Sequence, residues 1–261
     1  MAGHSHSSNI KFRKDRVDAK RAKAFAKLAR MITVAARQGG GSIEGNAKLR
    51  LCAEKARVLS MPKDVIERAI RKGTGEGELG NYEEFVYEGY GPGGIALMLE
   101  ILTDNRHRTA ADVRMLFEKF GGNLGATGAV AWMFERKGRF LVDPAAGGAG
   151  APGGERKLGE DRLLEIVLEV GADDLQAEGD AFAIYCRLAA FADVNQALAA
   201  RGVPLREAGL AYVPSQRVTV ADEAVATRLV RLIDALEDND DVQGVFSNED
   251  FPEAVVRALE A

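Results

Sequence analysis

The chain has little of what catalytic, metal or membrane chemistry most often uses: among 261 residues there are two cysteines, three histidines and one tryptophan. Cys52 and Cys186 lie far apart in apolar patterns. Neither has a second Cys or a His at metal-ligand spacing, so both read as small buried thiols and no metal site is expected. No uninterrupted apolar run approaches the roughly 18 residues that a membrane helix needs. Residues 1–16 are polar and basic, without the apolar core of a signal peptide, so a cytoplasmic protein with no membrane partner is expected. Nucleophile triads and P-loops are missing too, which argues against an enzyme, a cofactor or a small-molecule substrate. The 46% hydrophobic and 28% charged content leaves a globular chain long enough for up to three domains.

What is abundant is charge, and it is segregated. Residues 1–80 hold 18 Lys+Arg and 8 Asp+Glu, a formal +10, whereas residues 81–261 hold 17 and 31, a formal −14. A basic head on an acidic body points to a polyanionic partner. From 15 to 38 the apolar residues Phe25, Leu28, Ala29, Ile32 and Ala36 recur at helical spacing, and Gly39, Gly40 and Gly41 stop the pattern. Stepping about 100° per residue places Arg16, Lys20, Lys23, Lys27 and Arg30 in one stripe opposite Phe25 and Ile32. That stripe runs roughly 21 Å, a length over which duplex DNA presents about a dozen phosphates. Asp18 is the sole acid between Arg16 and Gln38. A solvated face would ordinarily alternate sign, so a phosphate-binding face is the stronger reading. Lys11, Arg13, Lys14 and Arg21 extend the basic set, with residues 2–9 as a flexible tail. Two further amphipathic helices, at 46–59 and 62–72, would close a three-helix bundle, with Gly73 as a helix end and 74–80 as a linker.

Beyond 80 the pattern changes to strands. Segments 84–90 and 95–102 flank Gly91-Pro92-Gly93-Gly94, a hairpin signal. Gly89, Gly91 and Gly94 formally spell a dinucleotide-binding fingerprint, but an apolar strand follows where that motif needs a helix. Tyr90, Gly91, Pro92 and Gly93 are candidate partner contacts at the hairpin tip. A helix is expected to open at Thr109 through a Thr-Ala-Ala-Asp capping box. Arg106 and Arg108 before it could hold a phosphate, or Arg106 could pair with Asp104; both readings stay open. Strands at 129–135, 138–143, 174–178, 182–188 and 208–213, with helices at 161–170 and 193–201, spell a ferredoxin-like βαββαβ unit from 138 onward. Segments 217–220, 222–236 and 242–246 would then complete the first sheet. The fold class is thus multidomain α and α+β: a basic helical domain at 1–80, a discontinuous α+β domain at 81–135 and 214–261, and a ferredoxin-like domain inserted at 136–213. Residues 144–154 are only Pro, Ala and Gly and read as a flexible loop. Glu237, Asp238, Asp240 and Asp241 read as a solvated acidic surface rather than a Mg²⁺ site, which leaves a metal-dependent enzyme as a distant third reading.

Several segments together resemble the YebC family: Ala2-Gly3-His4-Ser5, Asn9-Ile10-Lys11, Arg13-Lys14, Asp18-Ala19-Lys20-Arg21 and Leu49-Arg50 in the basic part. In the remainder Tyr87-Glu88-Gly89-Tyr90-Gly91-Pro92-Gly93-Gly94, Thr103-Asp104-Asn105-Arg106, Gly121-Gly122-Asn123-Leu124-Gly125 and Leu232-Ile233-Asp234-Ala235-Leu236-Glu237-Asp238 agree. The chain departs from the family pattern at His6-Ser7-Ser8, where Lys-Trp-Ala is typical, and at Phe12, where histidine is usual. The resemblance implies a helical bundle with two α+β domains, one inserted, and a relationship to the mitochondrial translational activator of cytochrome c oxidase. On function it implies two things: DNA-binding transcriptional regulation, or a translation factor acting at ribosomal RNA to help ribosomes through difficult peptides such as proline runs.

Overall fold

The computed structural model describes residues 21–75, 81–145, 158–178 and 180–260. Lys11, Arg13, Lys14, Arg16 and Lys20 of the expected contact set lie outside the described residues, as do residues 76–80 of the linker and 146–154 of the Pro/Ala/Gly tract.

The apolar spacing beginning at Phe25 gives helix α1 (Arg21–Gly39). Asn46 opens α2 (Ala47–Val58), its side chain accepting from the Leu49 amide at 3.0 Å, and α3 (Lys63–Thr74) follows Pro62. Leu28, Ile32, Leu49, Ala53, Ala56, Ile66 and Ala69 close one small core between the three helices. Gly73 lies in the last turn of α3, one residue before its end at Thr74, and it is there for proximity: a Cβ on it would lie 2.3 Å from the Thr33 carbonyl oxygen and 2.8 Å from Ala36 Cβ. Replacing Gly73 with Ala should therefore destabilise the protein by about 1–3 kcal/mol through overpacking, although alanine alone favours a helix by about 1 kcal/mol. Urea unfolding checks this, and an unchanged or raised midpoint would refute the close crossing of α1 and α3.

The hairpin forms as β1 (Glu83–Tyr90) and β2 (Ala96–Thr103), paired from Glu83↔Thr103 to Tyr90↔Ala96 around a 3₁₀ turn at Pro92–Gly94. Helix α4 (Arg106–Phe120) and the short strand β3 (Asn123–Leu124) come next. After the ferredoxin-like insert come β8 (Val218–Thr219), α7 (Glu223–Asp238), β9 (Val242–Ser247), β10 (Glu249–Asp250) and α8 (Glu253–Glu260). The sheet is antiparallel in the order β3-β1-β2-β9. Leu97, Leu99 and Ile101 of β2 are buried, as are Val113 and Phe117 of α4 and Leu229, Leu232, Ile233 and Leu236 of α7, the two helices that pack beside the sheet. Gly89 needs no phosphate to explain it, since a Cβ there would lie 2.8 Å from the Phe117 ring.

Two expected boundaries are corrected. Helix α4 begins at Arg106, capped by Asn105, whose side chain accepts from the Arg108 amide at 3.1 Å; the Thr109 hydroxyl donates to Asp241 instead. The strand expected at 129–135 is instead a 3₁₀ turn at Ala131–Met133 leading into one continuous strand, β4 (Phe134–Val142).

Two compact units result, one spanning Arg136–Val213 and the other comprising the helical bundle with the β3-β1-β2-β9 sheet. The smaller contains β4, α5 (Glu160–Val170), β5 (Asp174–Glu178), β6 (Ala181–Arg187), α6 (Phe191–Ala200) and β7 (Leu205–Pro214), with sheet order β5-β6-β4-β7, which is the ferredoxin-like arrangement. One sheet face packs Phe140, Val142 and Ile184 with Leu163, Ile166, Val167 and Leu198 of the helices. On alternate residues Arg139 pairs with the buried Glu178, which also accepts from the Tyr185 hydroxyl at 2.7 Å. That pairing compensates two charges that would be costly to bury alone. Cys52 and Cys186 are both buried, and burial pushes the Cys186 thiol up to about 11, so it stays protonated at neutral pH.

Candidate nucleic-acid interface

The stripe on α1 is real as a pattern, and its described members face another part of the protein. Lys27 Nζ donates to two main-chain carbonyls, Glu237 O and Val242 O, each at 2.6 Å. Arg30 donates to Asp240 O at 2.7 Å and to Asp241 Oδ1 at 3.1 Å. Lys23 Nζ stands 3.8 Å from Asp238 and 3.9 Å from Asp240. All of these acceptors belong to the corner where α7 ends and β9 begins. The end of α7 carries unsatisfied carbonyls and the negative pole of the helix dipole, so a lysine there acts as a C-terminal cap. Burial is the largest effect on the Lys27 ammonium and Lys23 adds to it; together they outweigh Glu237, Asp240 and Asp238 and lower its pKa to about 8. The sequence places Arg21 at the start of the same helix.

The acidic cluster is therefore only partly the solvated surface expected. Asp241 is buried, 6% exposed, and it is the hub of the corner. One of its oxygens accepts from Arg108 at 2.8 Å, Thr103 at 3.0 Å and Thr109 at 2.7 Å, and the other takes Arg30. Burial alone would raise its pKa, but Arg108 and the two threonine hydroxyls outweigh burial and hold the carboxyl below its ordinary value. Arg108 also bonds Asp104 at 3.0 Å, so the arginine that pairs there is Arg108 and not Arg106. Arg106 instead stacks 4.6 Å above the Phe85 ring, beside Tyr87. A cavity of about 400 Å³ opens next to this network. Its walls carry Arg30 and Arg108 against Asp104, Asp112, Asp240 and Asp241, a balance that repels a free anion.

Of the candidate partner contacts, Gly91 and Pro92 are buried and Gly91 sits against Leu97 and Leu229, so neither is presented as a surface; Gly93 is exposed. Tyr90 is half-buried, its hydroxyl donating to Ala129 O at 3.0 Å. Sequence reasoning passed over the neighbouring loop. The Glu88 carboxylate accepts from the Gly128, Val130 and Ala131 amides at 2.7, 2.8 and 2.8 Å. Burial opposes the charge on Glu88, but these three amides hold its pKa below the ordinary value. Trp132 emerges from this pinned loop 73% exposed, its indole N–H donating to Ala129 O at 3.2 Å. On the outer faces of α2 and α3, Arg57, Arg71 and Lys72 are exposed and make no ion pair among the described residues.

Among the described residues no group of three or more His, Cys, Asp or Glu is arranged to hold a metal ion, and no helix is long and apolar enough to cross a membrane. Two family models match, one described as the TACO1/YebC protein N-terminal domain over residues 5–76 and one as the TACO1/YebC second and third domain over 82–249. A relative in Halothermothrix orenii, named a probable transcriptional regulatory protein, is 48% identical over 99% of both chains. One in Syntrophobacter fumaroxidans with the same name is 46% identical over 98% of both. The crystal structure of a conserved hypothetical protein from Aquifex aeolicus, 44% identical, covers 91% of this chain and 93% of its own with a TM-score of 0.81. The chain belongs to the TACO1/YebC family.

Proposed function

We propose that this protein is a non-enzymatic regulator of gene expression that binds nucleic acid through its basic amino-terminal domain, acting on DNA to control transcription. The single observation carrying this reading is the +10 charge concentrated in residues 1–80 of a chain that is −4 overall. The names of the relatives, probable transcriptional regulatory protein, support it. Lys11, Arg13, Lys14, Arg16, Lys20 and Arg21 are the leading contacts, because Lys23, Lys27 and Arg30 have acceptors inside the protein. Such contacts read phosphates and confer little sequence preference by themselves.

Filter binding to a duplex as a function of salt tests this. Six phosphate contacts give a log–log slope of about −5.4, and replacing Lys11, Arg13 and Lys14 by alanine should flatten it by about 2.7. A slope near zero for the wild-type protein would overturn the proposal.

The second reading, a ribosome-associated factor contacting ribosomal RNA, draws on the −14 carried by residues 81–261, since an acidic body is repelled along a long duplex. Lysate gradients run beside genome-wide DNA crosslinking discriminate the two. Promoter peaks with protein only at the top of the gradient support transcription control; ribosome-bound protein without peaks supports translation.

A further inference from the structure

We infer that the corner formed by the end of α7 and the start of β9 is a built-in polyanion mimic: it occupies the Lys23–Lys27–Arg30 face of α1 in the free protein, and a nucleic-acid backbone displaces it. The inference rests on the nucleic-acid reading above and adds how the same basic face is controlled. What the corner offers resembles what a phosphate strand offers. Glu237 O, Asp240 O and Val242 O supply main-chain oxygens, Asp238, Asp240 and Asp241 supply negative charge, and the spacing suits consecutive turns of α1. Lys23, Lys27 and Arg30 stand three and four residues apart, the separations that share one helix face. Each is matched by an acceptor in residues 237–242.

The lock is graded in strength. Lys23 has only long, half-exposed ion pairs, which contribute little in water. Lys27 and Arg30 hold the short bonds. Lys23 is therefore the end at which a phosphate strand enters, and it lies nearest in sequence to Lys20 and Arg21. Opening exposes Arg30 at the wall of the adjoining cavity, while Arg108 stays paired with Asp104 and Asp241. Within the corner Asn239 N donates to Leu236 O at 3.1 Å, Val242 N to Asn239 O at 3.2 Å, Asp241 N to Asn239 Oδ1 at 2.9 Å and Gln243 Nε2 to Asp240 O at 3.2 Å, and Leu102 N of β2 donates to Asp241 O at 2.8 Å. Asp241 remains anchored to Thr103, Thr109 and Arg108 when Arg30 leaves, so opening does not require the sheet to unfold.

The test uses the full chain with two probes, a scrambled-sequence DNA duplex and inorganic polyphosphate. Asp238→Lys with Asp240→Lys removes the competing charge at the lock; Glu118→Lys with Glu160→Lys makes the same change of net charge at exposed positions on α4 and α5. The lock variant should bind both probes roughly tenfold more tightly than the control variant at low salt. Equal affinity of the two variants would overturn the inference. Should the lock variant fail to fold, hydrogen exchange on the wild-type protein decides: amides of residues 237–242 should exchange at least several-fold faster with saturating duplex. Binding with unchanged protection there refutes the lock while leaving the nucleic-acid reading standing, and wild-type protein that binds neither probe refutes both.

Discussion

Replacing Asp241 by alanine is expected to destabilise the protein by about 3–5 kcal/mol, because it removes the acceptor from a buried network rather than one surface ion pair. The carboxylate is buried, and the substitution leaves Thr103 and Thr109 hydroxyls and the Arg108 and Arg30 guanidiniums without their common acceptor. Thr103 is fully buried and Thr109 likewise, so water cannot readily substitute. Asp241→Asn keeps the shape and loses the charge, and it should cost less than alanine but still measurably, since the two arginines then face a neutral amide. The pH dependence follows from the lowered pKa. A carboxyl held below its unfolded value contributes stability that is present above that value, about 3.9, and is lost as pH falls through the lower folded value. Urea denaturation at pH 7 and between pH 5 and 2 measures both effects. A loss below about 1 kcal/mol at pH 7 for the alanine variant would mean that the network is not cooperative.

Most of the architecture was legible because periodicity and turn chemistry act locally. Phe25, Leu28 and Ile32 gave α1, the Gly91-Pro92-Gly93-Gly94 run gave the hairpin, and the alternation from 138 to 213 gave the ferredoxin-like order. The misplaced start of α4 shows where local reasoning stops. Asn105 and Thr109 are both competent caps, and nothing in the neighbouring sequence says that the Thr109 hydroxyl is taken by a carboxylate 132 residues downstream. Helix α8 was missed because eight residues make barely two turns, too few for a period to show. The basic stripe shows a different limit. Periodicity places Lys23, Lys27 and Arg30 opposite the bundle core, but a face turned from one core can dock on another surface. The complementary signal was in the sequence, four acids among residues 237–241, but pairing it with α1 required the fold.

Exchanging Lys27 for glutamate should destabilise the protein by about 4 kcal/mol, far more than a surface charge reversal, since a carboxylate would face two carbonyls and Asp238 and Asp240 in a half-buried position. Lys27→Met fills the same space without the donor and should lose only about 1–2 kcal/mol, the cost of leaving the Glu237 carbonyl at the end of α7 and the Val242 carbonyl at the start of β9 without this donor. Nucleic-acid binding lost in a Lys27→Glu protein is therefore no evidence of a phosphate contact at that residue unless folding is measured alongside. The titration of Lys27 supplies an independent check. Its pKa falls from 10.5 to about 8 in the folded protein, so below pH 8 both folded and unfolded states carry the proton and burial of the charge opposes folding in full. Between pH 8 and 10.5 the unfolded state binds more protons than the folded one, and stability must rise with pH. The wild-type protein should thus gain on Lys27→Met as pH is raised from 7.5 to about 10 in parallel urea titrations. Parallel curves across that range would show that Lys27 is not held at the corner, and with it the main anchor of α1 on α7 would be gone.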